Sequence, residues 1–115
     1  MSTREATSLA KARRAHAPVF AALGDETRLA LVAKLCEGAP QSIARLTEGS
    51  NLTRQAISKH LRVLQNAGIV ESVRVGRESQ YAFRPQPIDG LKSYLDRVSL
   101  QWDEALGRLK AFVER

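Results

Sequence analysis

The 115-residue chain carries 18 Lys and Arg against 12 Asp and Glu, a net charge of +6, with an ordinary apolar fraction of 43%. That balance suits one folded domain with a modest core and excludes a wholly disordered chain. A single cysteine, Cys36, excludes an internal disulfide, and no apolar run approaches membrane-spanning length.

Residues 1–16 read as a polar, basic segment of weak helical character, with Arg4, Lys11, Arg13 and Arg14 against Glu5. No apolar signal-peptide core opens it, which fits a cytoplasmic protein. Pro18 suits the first turn of a short helix, PVFAAL, closed by Gly24. Asp25 is placed to cap the next helix, ETRLALVAKLCE, with Glu26 near its positive end. Leu29, Leu31, Val32, Leu35 and Cys36 are its core candidates, and Gly38 stops it. After Pro40, QSIARLTE reads as a short helix burying Ile43 and Leu46, and GSN reads as a turn.

The following helix, residues 53–67, is strongly signalled. Ile57, Leu61 and Leu64 form its apolar stripe, Thr53 is a good N-cap, and Gly68 stands where a left-handed cap is wanted. Its opposite face offers Gln55, Ser58, Lys59, Arg62 and Asn66. Two helices joined by a tight glycine-containing turn, the second with a polar-basic outer face, are a helix-turn-helix. Beyond Gly68 the apolar period changes from helical to alternating. IVESVRV and SQYAF, separated by GRE, predict a hairpin, a basic-tipped wing over 70–84. From Ile88 onward the pattern is one long helix. The expected fold is therefore mainly α with a small β-hairpin wing: a basic tail (1–17), a winged helix-turn-helix domain (18–87) and a terminal helix (88–115).

Charge is unevenly spread along these elements. Residues 53–77 hold Arg54, Lys59, Arg62, Arg74 and Arg77 against Glu71, whereas positive and negative charges cancel over 78–115. A generic helix surface mixes in acids, yet none occurs between Thr53 and Glu71. Focused positive charge points to an anionic partner, most simply double-stranded DNA. Gln can pair bidentately with adenine, and Lys or Arg with guanine, in the major groove. Gln55, Ser58 and Lys59 are the base-contact candidates. Thr53, Arg54 and Arg62 are phosphate-contact candidates, joined by Arg74 and Arg77 on the wing. His60, on the helix flank, either touches phosphate or packs against the neighbouring helix. His16 has no evident partner, and Cys36 reads as a small core group. A protein-interaction or RNA-binding module would be expected to show an apolar or acidic patch on the outer helix. No converging nucleophile, acid, base or phosphate loop suggests an enzyme.

The terminal helix carries Leu91, Leu95, Val98, Trp102, Leu106, Leu109 and Val113 at spacings of 4, 3, 4, 4, 3 and 4. So regular and long a stripe exceeds what a small core can cover. A homodimer built on it, with Val19, Phe20 and Leu23 alongside, is expected.

Three stretches, FAALGDETRLALVAKL, LTRQAISKHLRVLQNAGIVESVRVGRESQYAF and YLDRVSLQWDEALGRLKAFV, together resemble the ArsR family of winged helix-turn-helix regulators over roughly residues 18–113. The resemblance implies a homodimeric transcriptional regulator, usually a repressor, in a prokaryotic cytoplasm. Metal-sensing members carry a Cys-x-Cys motif on the first helix of the helix-turn-helix, where this chain has SIARLTE. Others use Asp and His on the last helix; here Asp89 and Asp96 are followed by no His. Borderline metals want thiolate or imidazole ligands. Redox-sensing members use two cysteines, and Cys36 stands alone. The chain thus resembles a non-metal branch: no metal site and no cofactor are expected, and no residue names an effector.

Overall fold

A computed structural model describes residues 2–115. The elements are α1 (Thr3–Leu23), α2 (Glu26–Cys36), β1 (Gln41–Ser42), α3 (Ile43–Thr47), α4 (Arg54–Asn66), β2 (Val70–Val75), β3 (Glu78–Phe83) and α5 (Gln86–Val113). The three strands form one antiparallel sheet in the order β1-β3-β2. The β2–β3 hairpin pairs Val70 with Phe83 and Val75 with Glu78, leaving Gly76 and Arg77 as a two-residue turn. Gly76 has φ +64° and, among the described residues, no non-glycine residue has positive φ, so only the first turn position is left-handed, as a type II′ turn requires. The fold is a winged helix-turn-helix, mainly helical, with the hairpin as its wing.

The starts of α2, α3 and α4 each follow from a short polar side chain. Asp25, Ser42 and Thr53 accept the backbone N–H of Arg28, Arg45 and Ala56 at 3.0, 3.2 and 3.1 Å. The end of α4 is equally well defined. Gly68 takes φ +77°, its N–H reaches the Gln65 carbonyl, and Ile69 N–H reaches the Leu64 carbonyl at 3.0 Å. This is the Schellman pattern, and the side chains of Leu64 and Ile69 at its two ends are both fully buried in one core.

One core unites the elements. Leu31 and Leu35 of α2, Leu46 of α3, Ile57, Leu61 and Leu64 of α4, and Ile69 and Val70 entering β2 are all buried there. Val19 and Ala22 of α1 and Leu91 of α5 close it. Fully burying each such side chain stabilises the fold by about 1.5–3 kcal/mol.

Four features depart from the sequence reading. First, α1 does not begin at Pro18; it runs unbroken from Thr3, with Pro18 inside it. Proline removes one backbone donor and crowds the carbonyl four residues earlier. Here that carbonyl belongs to Arg14, an exposed residue like Pro18, and buried Leu9 and Val19 hold the helix on both sides. Residues 3–17 are thus helical and lie along α5, where Arg97 Nη2 donates to Ser8 Oγ at 3.0 Å. Second, QSIARLTE divides into β1 and α3, because Gln41 and Ser42 pair with Tyr81 and Gln80. Third, Leu29 is 53% exposed and Cys36 is exposed, so α2 buries only Leu31 and Leu35 fully. Each of the two lies beyond the narrow face that α1, α4 and β3 cover. Fourth, α5 starts at Gln86, two residues before Ile88, with a proline in its first turn.

Candidate nucleic-acid interface

The apolar stripe of α4 is wholly spent on the core: Ile57, Leu61 and Leu64 are at most 1% exposed. At 100° per residue this fixes Gln55, Lys59, Arg62 and Asn66 on the opposite, outward side. All four are exposed, as is Arg54, while Ser58 sits half-buried on the flank. Among the described residues, no hydrogen bond or ion pair within the chain engages the side chains of Arg54, Gln55, Ser58, Lys59 or Arg62. Thr53 is committed as the cap, its Oγ1 accepting from Ala56 N–H. Its hydroxyl proton remains available to an acceptor outside the chain.

The wing residues sit on a separate element. Arg77 occupies the hairpin turn and is exposed; Arg74 reaches back to the Gly76 carbonyl at 3.4 Å. The one acid in residues 53–77, Glu71, is bound by Arg84 at 2.6 Å. Both partners are about half exposed, so the pair adds little stability, but it masks the one acid of that segment.

His60 turns away from the outer face. Its Nδ1 lies 3.1 Å from Arg28 Nη1 and 3.8 Å from Asp25 Oδ2. Of the two roles open to it, packing against the neighbouring helix is the one described here. Arg28 also donates its Nε–H to the Ala22 carbonyl, so one guanidinium touches α1, α2 and α4. The Arg28 backbone N–H holds the Asp25 carboxyl below its ordinary range, against partial desolvation, and the Arg28 guanidinium acts in the same direction. Sequence reasoning found the cap in Asp25 but not this junction. Only the helical spacing of Arg28 one turn behind the cap hinted at it.

The dimer candidates divide into two sets. Val19 and Leu91 are buried in the chain's own core, with Phe20 and Leu23 packed against it, and Val98 is also buried. Leu95, Trp102, Leu106, Leu109 and Val113 are between 41% and 72% exposed. His16, expected to lack a partner, packs over Gly90: a Cβ at Gly90 would come within 3.0 Å of the ring. The ring also faces Tyr94 at 5.6 Å between centroids. Among the described residues, no three His, Cys, Asp or Glu side chains are grouped to hold a metal ion.

Comparison with known proteins decides the family. The family model described as "Bacterial regulatory protein, arsR family" matches residues 25–72, from the α2 cap into β2. The uncharacterized HTH-type transcriptional regulator YuzN of Bacillus subtilis is 38% identical, over 64% of this chain and 86% of its own length. The chain belongs to the ArsR family. The arsenical resistance operon repressor of Bacillus subtilis is 31% identical, over 64% of this chain and 70% of its own length. Among solved structures, an ArsR-like transcriptional regulator from Rhodococcus sp. RHA1 superposes with a TM-score of 0.72 at 41% identity, covering 86% of this chain and 92% of that one. ArsR proteins are DNA-binding transcriptional regulators rather than enzymes, and α4 is the second helix of this one's helix-turn-helix. Among the described residues of this ArsR protein, no helix is long and apolar enough to cross a membrane.

Proposed function

We propose that this ArsR-family regulator is a homodimeric repressor acting in the cytoplasm on a palindromic operator. Each protomer inserts α4 into the major groove of one half-site and lays its wing on the flanking DNA. Gln55, Ser58 and Lys59 read base edges. Thr53, Arg54, Arg62, Arg74 and Arg77 bind phosphate and set the register. The observation that carries this reading is the outward face of α4: acid-free, exposed and without side-chain partners among the described residues.

The dimer is supported by α5. Its 28 residues reach about 40 Å at 1.5 Å per residue, and no residue beyond Val98 is buried. Leu95, Trp102, Leu106, Leu109 and Val113 therefore need another surface. A second copy supplies one with the twofold symmetry that inverted half-sites demand.

The test is selection from a random-sequence duplex pool, followed by light scattering of the free and bound protein. Enriched duplexes should carry two inverted half-sites whose centres lie about one helical turn, or a multiple of it, apart. The free protein should weigh two protomers at micromolar concentration. A monomer, or enrichment of a single unrepeated site, would overturn the reading.

A further inference from the structure

The junction where α1, α2 and α4 meet holds a charged side chain that bonds to both the neighbouring α1 and the proposed recognition helix. Arg28 gives its Nε–H to the Ala22 carbonyl in the last turn of α1 and its Nη1 group to His60 Nδ1 at the middle of α4. Ala22 is 3% exposed and Val19 of the same turn belongs to the core, so the α1 end of this link is fixed. The α4 end is one residue from Lys59 and five from Gln55.

We propose that Arg28 is the positioning residue of the recognition helix, setting the rotation of α4 against α1 through His60. A guanidinium is planar and rigid, with its donors at fixed angles, so holding two acceptors at once fixes the separation and orientation of the elements that carry them. The apolar stripe of α4 alone does not fix rotation so tightly, because Ile57, Leu61 and Leu64 are smooth side chains that tolerate small turns. Bidentate base contacts do not tolerate them. Asp25 completes the junction: its carboxylate caps α2 by accepting the Arg28 backbone N–H at 3.0 Å and lies beside the guanidinium and the imidazole. Among the described residues, no ion pair or side-chain hydrogen bond reaches His60 from α1, α3 or β2; Arg28 and Asp25 are the charged groups that face it. With Nδ1 accepting from Arg28, the neutral ring carries its proton on Nε2.

The other end of α1 lies on α5, through the Arg97–Ser8 hydrogen bond and the His16 ring over Gly90.

This proposal rests on the DNA reading above. The experiment uses the full chain and the duplex that the wild-type protein selects from the random pool. Arg28→Lys, whose single ammonium cannot hold both acceptors in the fork geometry, should weaken binding about tenfold while remaining folded by circular dichroism. His60→Ala should match it. His60→Gln should recover most of the loss, because its side-chain oxygen can accept from Arg28. Arg28→Lys combined with His60→Ala should be no worse than either alone, the signature of one shared interaction. Additive losses, no recovery with His60→Gln, or wild-type affinity in Arg28→Lys would overturn the proposal.

A readout without DNA separates the two readings. The nitrogen spectrum of the His60 ring should show the Nε2–H tautomer with Nδ1 accepting, and Arg28→Lys should shift Nδ1. That signature, with no duplex selected, would defeat the DNA reading and with it this role for the link. The opposite tautomer would defeat the proposal even with DNA bound.

Discussion

Helix α4 and the distal half of α5 are both amphipathic, and both leave one face uncovered, but they do so in opposite senses. On α4 the apolar stripe is completely buried and the exposed face is polar and cationic. On α5 only Leu91 and Val98 of the stripe are buried, and the exposed face includes Trp102, Leu106, Leu109 and Val113. The lesson is that an uncovered face names the chemistry of its partner. An exposed array of Gln, Lys and Arg without acids is well solvated, though its like charges repel one another, and it matches phosphate and base edges. An exposed row of large apolar groups is unfavourable in water and calls for another apolar surface. Under the proposed function, DNA satisfies the first and a copy of the same chain the second.

The sharpest way to break this comparison is to make the exposed face of α5 resemble that of α4. Trp102→Glu with Leu106→Glu should yield a monomer in light scattering and lower affinity for the selected duplex by ~10²–10⁴-fold, because two linked half-site contacts become independent. A soluble double variant that stayed dimeric and bound DNA normally would remove α5 from the interface.

Next in size is damage to the buried side of α4. Leu61 is 0% exposed, and Leu61→Ala should cost about 2–5 kcal/mol of folding stability, read as a lower midpoint in urea with little change in slope. The equivalent change at Leu109, 57% exposed in the protomer, should barely alter the stability of a dissociated chain.

Smaller effects resolve the outer face of α4 itself. Lys59→Ala or Gln55→Ala should each cost about 1–3 kcal/mol on the selected duplex and little on random DNA. Arg62→Ala should weaken both alike and reduce the slope of log affinity against log salt by about one. Equal loss on both DNAs for Lys59→Ala would move that residue from the base-reading to the phosphate-binding set.

The smallest effect concerns the cap that starts the recognition helix. Thr53→Ala removes the acceptor for Ala56 N–H and should cost about 1 kcal/mol in thermal or urea unfolding. Thr53→Ser should restore it. If the two variants unfold alike, the cap contributes nothing that the rest of the helix does not already supply.

The sequence by itself determined α4 almost to the residue. Its stripe, its Thr53 cap and its Gly68 stop all act within one or two turns, and such local interactions are written in neighbouring letters. The hairpin was legible for the same reason, since alternating residues flank a glycine that the turn requires. One local signal went unread: Ser2 and Glu5 have the capping-box spacing, and Ser2 does cap α1 at 3.1 Å, well before Pro18. Tertiary structure decided the rest. Whether a helix survives Pro18 depends on Leu9 and Val19 being held on either side of it. Whether Gln41 and Ser42 form a strand depends on a partner about forty residues away in β3. Leu29 and Cys36 are exposed while Leu35 is buried because the width of the covered face is set by the neighbours of α2. The Arg28–His60 bond spans 32 residues, and no periodicity encodes it. Helix and turn propensities act along the chain, whereas burial and long-range hydrogen bonds exist only once separate elements meet.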